Sequence, residues 1–287
     1  PAPTEEDLSN TAEGMVGSGQ ANLKGYLQSL ARAYNAVYEQ QQREGMEHDQ
    51  TQAADGSLVR LDFWGLREFY ATVKFISSHL QAKSVSEREI DSTMLLQAVL
   101  RNYGGYPQKT KGIVRTFFEQ LGMKMPDRID EQFGIMDLIR QNVHDQDARH
   151  LMLLTKNSAA LPILFDQNIL EYRTTDIIIG SDFPHDQTDL QKCHDIQRIK
   201  QNMQQGTTVV LLHCEALYES LYDLLNQHYT THGGNRFVRL ALGTHNVLCP
   251  VHEKFRVIVI TEKADAYTVL APPLLNRFEK QVLERAN

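Results

Sequence analysis

Hydrophobic residues recur every three or four positions along the first half of the chain, which is the periodicity of an amphipathic helix. The polar residues 86–89 are typical of a capped helix start, and the Gly-Gly pair at 104–105 is a helix breaker. No strand is predicted before residue 146. The predicted helices cover residues 23–42, 66–80, 86–101, 111–121 and 133–142.

The pattern then changes to short apolar runs that alternate with helical stretches. Runs that are apolar on both sides are typical of strands in a parallel sheet covered on both faces. The predicted strands are 150–155, 177–179, 207–212 and 255–260, with a hairpin of 237–242 and 246–249 and with helices over 159–168, 190–204 and 217–229. We therefore predict an α/β fold, in which a helical N-terminal part precedes an α/β body with a mainly parallel sheet.

We place the boundary between these parts between Asn142 and Arg149. Because the first 20 residues are polar and contain Gly and Ser, we expect a flexible lead-in there. The predicted division is a lead-in of residues 1–20, a helical domain of residues 21–146 and an α/β domain of residues 147–287. The chain starts with Pro1 rather than Met, and a last helix opened by residues 273–278 is expected to stop at Asn287. We therefore expect a piece of a longer protein.

Charge and cysteine content narrow the functional classes. Acidic residues exceed basic residues by 36 − 29 = 7, without a block of like charges, which argues against nucleic acid or an anionic membrane as the main partner. The apolar runs are shorter than the roughly 20 residues that span a bilayer. Three scattered cysteines suit a reducing, cytoplasmic setting. They also exclude a RING-type zinc domain, which needs about eight paired Cys and His ligands.

A catalytic phosphate loop of the form G-x-x-x-x-G-K-[ST] must follow the first strand directly, because its backbone N–H groups wrap the phosphates and its Lys reaches them. Here the first predicted strand ends at Thr155. Lys156, Asn157 and then Ser-Ala-Ala follow it, without a glycine. Side chains at these positions would block the close approach of a phosphate. We predict no Walker A site in this chain.

The companion motif is an apolar strand that ends in Asp-Glu, which orders Mg²⁺ and positions the attacking water. The strand 207–212 is followed instead by His213, Cys214 and Glu215. An imidazole and a thiol replace the carboxylates, so the oxygen ligands that magnesium prefers are missing at these positions. Glu215 is either a displaced catalytic base or a residue in the first turn of the next helix, where the helix dipole stabilises a carboxylate. The pair Cys249 and His252 has tolerable zinc spacing but lacks a second pair, so no metal site is predicted.

Two arginines have both a functional and an ordinary interpretation. Arg67, at the start of the helix 66–80, is placed to contact a γ-phosphate, as in the sensor-2 arrangement of AAA+ proteins, or to pair with a surface carboxylate. The strand 255–260 ends on Thr261, where such modules inspect nucleotide. Arg277 in Leu-Leu-Asn-Arg-Phe is a candidate arginine finger, a residue that accelerates phosphoryl transfer in a neighbouring subunit, or an ordinary helix-start Arg.

Eight longer strings carry a family resemblance: GLREFY (65–70), LRNYGG (100–105), LMLLTKN (151–157), GSDFP (180–184), LYESLYDLLNQ (217–227), LGTH (242–245), FRVIVI (255–260) and PLLNRFEK (273–280). Together they resemble the AAA+ core of the mysterin family, the very large, dynein-like E3 ubiquitin ligases. The similarity extends from about Leu23 to the end of the chain.

The resemblance implies a segment from the middle of a ring. Residues up to about 146 would form the helical lid of one AAA+ unit, and the residues that follow would form the α/β body of the next. In this body Thr155, Lys156, Asn157, His213, Glu215 and Thr261 would line a degenerate nucleotide pocket. Arg67 would serve the upstream unit, and Arg277 would point toward that unit's pocket or pack an interface.

The resemblance also implies partners and cofactors outside this chain. Neighbouring AAA+ units of the same polypeptide would be the direct partners, and ATP and Mg²⁺ would bind in other units. The ligase activity and the ubiquitination machinery would involve other parts of the parent protein.

Two other functions stay open at this point. One is an independent doubly wound hydrolase that uses His213 with Glu215 or Asp182 at the strand ends, where such sheets place ligands. The other is a plain protein-interaction module.

Overall fold

The structure, a computed structural model, describes residues 3–16, 21–46, 59–83, 89–181, 183, 188–242 and 245–284. Its helices are α1 (Glu5–Met15), α2 (Ala21–Met46), α3 (Leu66–Ala82), α4 (Ser92–Asn102), α5 (Pro107–Gln120), α6 (Ile129–Gln132), α7 (Ile135–His144), α8 (Ala160–Asp166), α9 (Asp189–Gln205), α10 (Tyr222–Leu225), α11 (Lys263–Thr268) and α12 (Pro272–Leu275). Its strands are β1 (Leu151–Thr155), β2 (Thr175–Ile179), β3 (Thr208–Leu212), β4 (Thr230–His232), β5 (Asn235–Leu242), β6 (His245–Val251), β7 (Arg256–Glu262) and β8 (Glu279–Val282). None of the described helices has the length and apolar character of a membrane-spanning segment.

The chain forms two compact units that are not contiguous in sequence. The first comprises Pro1–Leu138 and Ala264–Val282, and the second comprises Ile139–Lys263 and Leu283–Asn287. The boundary within α7 lies a few residues before the predicted one. The larger difference is the return of residues 264–282 to the first unit, which a single cut of the sequence cannot represent.

The first unit is built around α2, which packs against α1, α3 and α5. The prediction of a flexible lead-in is wrong for residues 5–15, because α1 buries Leu8 and Ala12 completely. A capping box also stabilises this helix, since the Thr4 hydroxyl accepts from the Asp7 N–H at 3.1 Å. The predicted helix 66–80 is confirmed as α3.

The third predicted helix begins later than expected. The Asp91 carboxylate caps α4 by accepting the Met94 N–H at 2.8 Å, whereas Ser86, the predicted cap, lies outside the described residues. The helix ends at Asn102, as the glycines that follow predict.

The end of the first unit differs from the predicted terminal helix. Only Leu274 and Leu275 of the Leu-Leu-Asn-Arg-Phe string lie in the four-residue helix α12, and the chain then enters strand β8, which contacts α4. Phe278, Glu279 and Lys280 are all buried there. Burial of these side chains decides the local structure, since charged residues after a short helix favour no strand by themselves.

The second unit contains a parallel sheet, which confirms the predicted α/β fold. Strands β2, β3, β7 and β1 lie side by side in that order, and every pairing is parallel. Strand β1 is buried along its whole length, as is most of β7. The predicted hairpin is also confirmed, because β4, β5 and β6 form an antiparallel sheet of their own.

One predicted helix of the second unit is wrong. Instead of a continuous helix over residues 217–229, the chain has a short 3-10 turn (Glu215–Leu217) and then the single helical turn α10. The apolar side chains still reach the core, since Leu221, Leu224 and Leu225 are buried. Gln227 has a positive φ of 54°, which ends the helical path before residue 229.

Two buried polar side chains brace the amino-terminal ends of β1 and β7. The Arg256 guanidinium donates to the carbonyls of Ala148 and Arg149 at 2.9 and 2.7 Å and to Asn142 Oδ1 at 2.7 Å. His150 is fully buried, and its Nδ1 accepts the Val257 N–H at 3.2 Å. Burial, with a smaller contribution from the Arg256 charge, lowers the pKa of His150 well below its ordinary value. This histidine is therefore neutral in the fold.

Candidate functional site

The carboxyl ends of β1 and β7 meet at one edge of the parallel sheet, in the second unit. Leu154 lies opposite Thr261, and Thr155 lies opposite Glu262. After β1 the chain bypasses β7 and β3 and returns as the edge strand β2. Open parallel sheets bind ligands in a crevice at their strand carboxyl ends, so this is where a nucleotide site is expected.

The turn after β1 is short, and its backbone N–H groups bind a carboxylate of the protein itself. Four residues, 156–159, connect β1 to α8, and two of them, Asn157 and Ser158, have positive φ angles of 55° and 51°. Successive N–H groups in such a conformation form a concave anion-binding nest. Here the Glu262 carboxylate accepts both N–H groups, at 3.0 Å from Asn157 N and 2.9 Å from Ser158 N.

The side chain of Thr155 also serves the turn. Its hydroxyl oxygen lies 3.2 Å from the Ala160 N–H and accepts that hydrogen bond, and the residue is buried. Lys156 is exposed, and Thr261 is buried in β7. Turn and strand end are thus joined by hydrogen bonds within the protein itself.

These residues do not fit a triphosphate with its metal. The two N–H donors of the nest are already satisfied, and the carboxylate that satisfies them would repel a phosphate. A turn of four residues is also too short to hold the glycine-rich loop that wraps phosphates. We therefore derive no chemical step through ATP or Mg²⁺ at this crevice.

A second feature lies at the carboxyl ends of β2 and β3. A cavity of about 480 Å³ is lined by Gly180, Ser181, Asp195, His213 and Glu215 among others. His213 has a positive φ of 51°, and its carbonyl presses against Gly180, where an added Cβ would lie only 1.6 Å from that oxygen. Only glycine fits at position 180, so this residue fixes the approach of the two strand ends.

Cys214 cannot replace the missing aspartate beside this cavity. Its thiol donates to the Leu212 carbonyl at 3.1 Å, and burial raises the pKa of the thiol to about 12. The thiol is therefore neutral near pH 7 and offers no charge to a hard cation. Among the described residues no group of three or more His, Cys, Asp or Glu side chains is placed to hold a metal ion.

The structure divides the predicted pocket residues into two groups. Thr155, Lys156, Asn157 and Thr261 lie at the β1–β7 crevice, whereas His213 and Glu215 line the cavity beyond β3. Glu262 was not among the residues predicted to line this pocket. The available signal was an acidic residue directly after the last strand of the sheet, at the same edge as the turn after β1.

The two candidate arginines belong to the first unit. Arg67 is in the first turn of α3 and is partly exposed. Arg277 lies between α12 and β8 and is only 9% exposed. A finger that serves a neighbouring subunit needs a reachable guanidinium, so this burial favours the packing interpretation of Arg277. Both roles remain predictions.

Comparison with known proteins shows the family to which the chain belongs. A family model described as the RNF213 AAA domain matches residues 140–287, more than half of the chain. The chain is 36% identical over 298 aligned positions to the E3 ubiquitin-protein ligase RNF213 of Mus musculus and, equally, of Homo sapiens. It is 33% identical over 294 positions to E3 ubiquitin-protein ligase rnf213-beta of Danio rerio.

Each of these alignments covers 99% of the chain and 5% of the relative. The chain thus spans a small fraction of the length of these proteins. The resemblance to mysterin, which is RNF213, is confirmed.

Proposed function

Because the chain belongs to the RNF213 AAA domain family, we propose that its second unit is a catalytically silent AAA unit. It serves as a structural segment of a ring and relays ATP-driven changes between neighbouring units of a longer E3 ubiquitin ligase. The observation that carries the proposal is Glu262, whose carboxylate occupies the N–H nest at the strand end where a phosphate would have to bind.

Three further observations support a silent unit. The turn after β1 lacks glycine, the strand β3 is followed by His213 rather than an acidic pair, and the neighbouring thiol of Cys214 is neutral. ATP and Mg²⁺ then act in other units of the parent, and the ubiquitination machinery engages other parts of it. We place the protein in the cytoplasm, which suits its three free cysteines.

Calorimetry with Mg-ATP tests the silent unit. We expect no binding in the micromolar range, either by the wild-type chain or by Glu262→Ala, because the short turn is unchanged in that variant. Micromolar affinity of the wild-type chain would contradict the proposal.

The relay is tested in a longer protein that carries this chain with its neighbouring units. Arg67→Ala should lower ATP turnover of that protein if Arg67 senses nucleotide in the upstream unit. Arg115→Ala is the matched control, because Arg115 is an exposed arginine on α5 of the same unit. Equal turnover in both variants would remove the sensing role.

A hydrolase that uses His213 with Glu215 is a second candidate, and the cavity of about 480 Å³ that both residues line favours it. Asp182, the alternative partner of His213, lies outside the described residues. Turnover of p-nitrophenyl esters or phosphates that disappears in His213→Ala would support this candidate, and the absence of turnover in the wild type would dismiss it.

A further inference from the structure

The antiparallel sheet of β4, β5 and β6 has one face in the core of the second unit. Val238, Leu240, Cys249 and Val251 are all buried on that face. Because side chains alternate along a strand, the residues between them point the other way. The register places Phe237 opposite Pro250 and Arg239 opposite Leu248 on the outward face. These four residues are named the outer strip.

The outer strip is open to solvent. Leu248 is 52% exposed, Arg239 and Pro250 are also exposed, and Phe237 is half-buried. The His232 ring lies 5.9 Å from the Phe237 ring and extends the strip onto β4. Apolar and aromatic surface thus runs across all three strands around one guanidinium.

The outward face of this sheet mixes polar and apolar side chains, and its described positions include no acidic residue. The solvent face of an antiparallel sheet normally carries polar residues. Here the outward positions of the described strand residues are Thr230, His232, Asn235, Phe237, Arg239, Ala241, Asn246, Leu248 and Pro250, with no Asp or Glu. The patch of Phe237, Leu248 and Pro250 around Arg239 therefore combines exposed apolar surface with an arginine and no acid, residue types that interface cores favour.

Charge decides the kind of partner. The chain as a whole is acidic, with a formal charge of −7, so a cationic apolar strip contrasts with the rest of its surface. A guanidinium flanked by apolar side chains pairs well with a carboxylate, because its planar fork donates two parallel hydrogen bonds to the two carboxylate oxygens in a partly dry setting. A single arginine is too little for a nucleic acid, whose affinity depends on many phosphate contacts.

We propose that the outer strip docks an acidic, apolar segment of another protein surface. A carboxylate of the partner pairs with Arg239, and a neighbouring aliphatic or aromatic side chain packs on Leu248 and Pro250. This site lies on a different sheet from the β1–β7 crevice, and it does not depend on whether the second unit is silent.

Fluorescence anisotropy tests the docking surface with a defined probe, a fluorescein-labelled peptide Gly-Asp-Leu-Asp-Leu-Asp-Gly. The wild-type chain should bind it, and the peptide with Lys in place of Asp should not bind. Arg239→Glu should weaken binding about tenfold or more, because it sets a like charge against the probe. Leu248→Glu, which adds a carboxylate to the strip, should weaken it as well.

Arg115→Glu is the charge-matched control, since Arg115 is exposed on helix α5 and should leave probe binding within twofold. Thermal unfolding checks that the strip variants stay folded, which is expected for exposed positions. Equal binding of the Asp and Lys peptides, or unchanged binding in Arg239→Glu, would overturn the proposal. A wild-type dimer in sedimentation that Arg239→Glu dissociates would also overturn it, because the occupant would be a second copy.

Discussion

Lys280 Nζ lies 2.8 Å from Glu68 Oε1, and both side chains are fully buried in the first unit. Lys280 also donates to the Leu275 carbonyl at 3.1 Å, and Glu68 accepts the Gly65 N–H at 2.7 Å. A second buried pair involves the neighbouring residue of β8, since Arg101 donates to both carboxylate oxygens of Glu279 at 2.9 Å. The two charged residues of β8 are thus held by helices α3 and α4.

Removing one partner of the first pair should destabilise the first unit strongly. Lys280→Met leaves Glu68 buried without its cation, which costs about 3–5 kcal/mol. Lys24→Met is the control, because the Lys24–Glu13 pair is exposed and such pairs contribute about 0–1 kcal/mol. Urea denaturation of the two variants measures the difference, and equal losses would show that the buried pair contributes no more than a surface one.

Glu262→Ala should destabilise the second unit modestly. It removes the acceptor of two backbone N–H groups at a partly exposed turn, where water replaces it incompletely, so we expect a loss of about 1–2 kcal/mol. Glu262→Gln keeps an acceptor oxygen and should lose less. Glu253→Ala, an exposed glutamate of the same unit, should change stability by no more than about 0.5 kcal/mol. Denaturation curves in which Glu262→Ala matches the Glu253 control would mean that the nest does not need its anion.

Gly180→Ala should be far more damaging than a helical Gly→Ala substitution. The new Cβ would clash with the His213 carbonyl, so the ends of β2 and β3 must move apart, at a cost of about 1–3 kcal/mol or more. Gly112→Ala is the counterpart, because its Cβ meets open space within α5 and should stabilise the helix by about 0.5–1 kcal/mol. Thermal midpoints that shift in the same direction for both variants would contradict this contrast.

Acidification should loosen the second unit before its carboxylates titrate. The fold holds His150 neutral, whereas the unfolded chain protonates it below about pH 6.5, so the unfolded state binds more protons. The contribution of His150 to stability is complete above that pH and is lost as the pH falls, by at most about 1.4 kcal/mol per pH unit.

Hydrogen exchange of the β1 amides between pH 7.5 and 5.5, corrected for intrinsic rates, measures this effect. His150→Gln should flatten the pH dependence, and His194→Gln, a change at an exposed histidine of α9, should leave it as in the wild type. A wild-type stability that stays constant over this range would show that His150 does not resist protonation.

Elements with a strong apolar pattern, either a helical period or a continuous run, were predictable from the sequence. The helix α3 and the strands β1, β3 and β7 fall where the pattern places them, because their apolar residues dictate both period and burial. The helix α1 was missed, since its two buried residues, Leu8 and Ala12, are too few to stand out in a polar stretch. The error at residues 217–229 has the opposite origin. The apolar residues there are spaced as in a helix, but two short helical turns bury them without a continuous helix.

The candidate site was predictable only in part. The lack of glycine after β1 and the replacement of an acidic pair by His213 are properties of the sequence, and they predict a poor phosphate site. That Glu262 fills the nest depends on the parallel register of β1 and β7, which joins residues far apart in the chain. His213 and Glu215 were expected in the same pocket, but they line a different cavity, because β3 and β1 are separated by β7.

The sequence by itself determined that a helical part precedes an α/β part, that no glycine-rich loop follows β1, and to which family this chain belongs. Local spacing and side-chain chemistry suffice for each of these. Only the tertiary structure decided that β8 belongs to the first unit and that the Glu262 carboxylate accepts the N–H groups of the turn after β1. Both depend on contacts between distant residues, where burial and hydrogen bonding outweigh local preference.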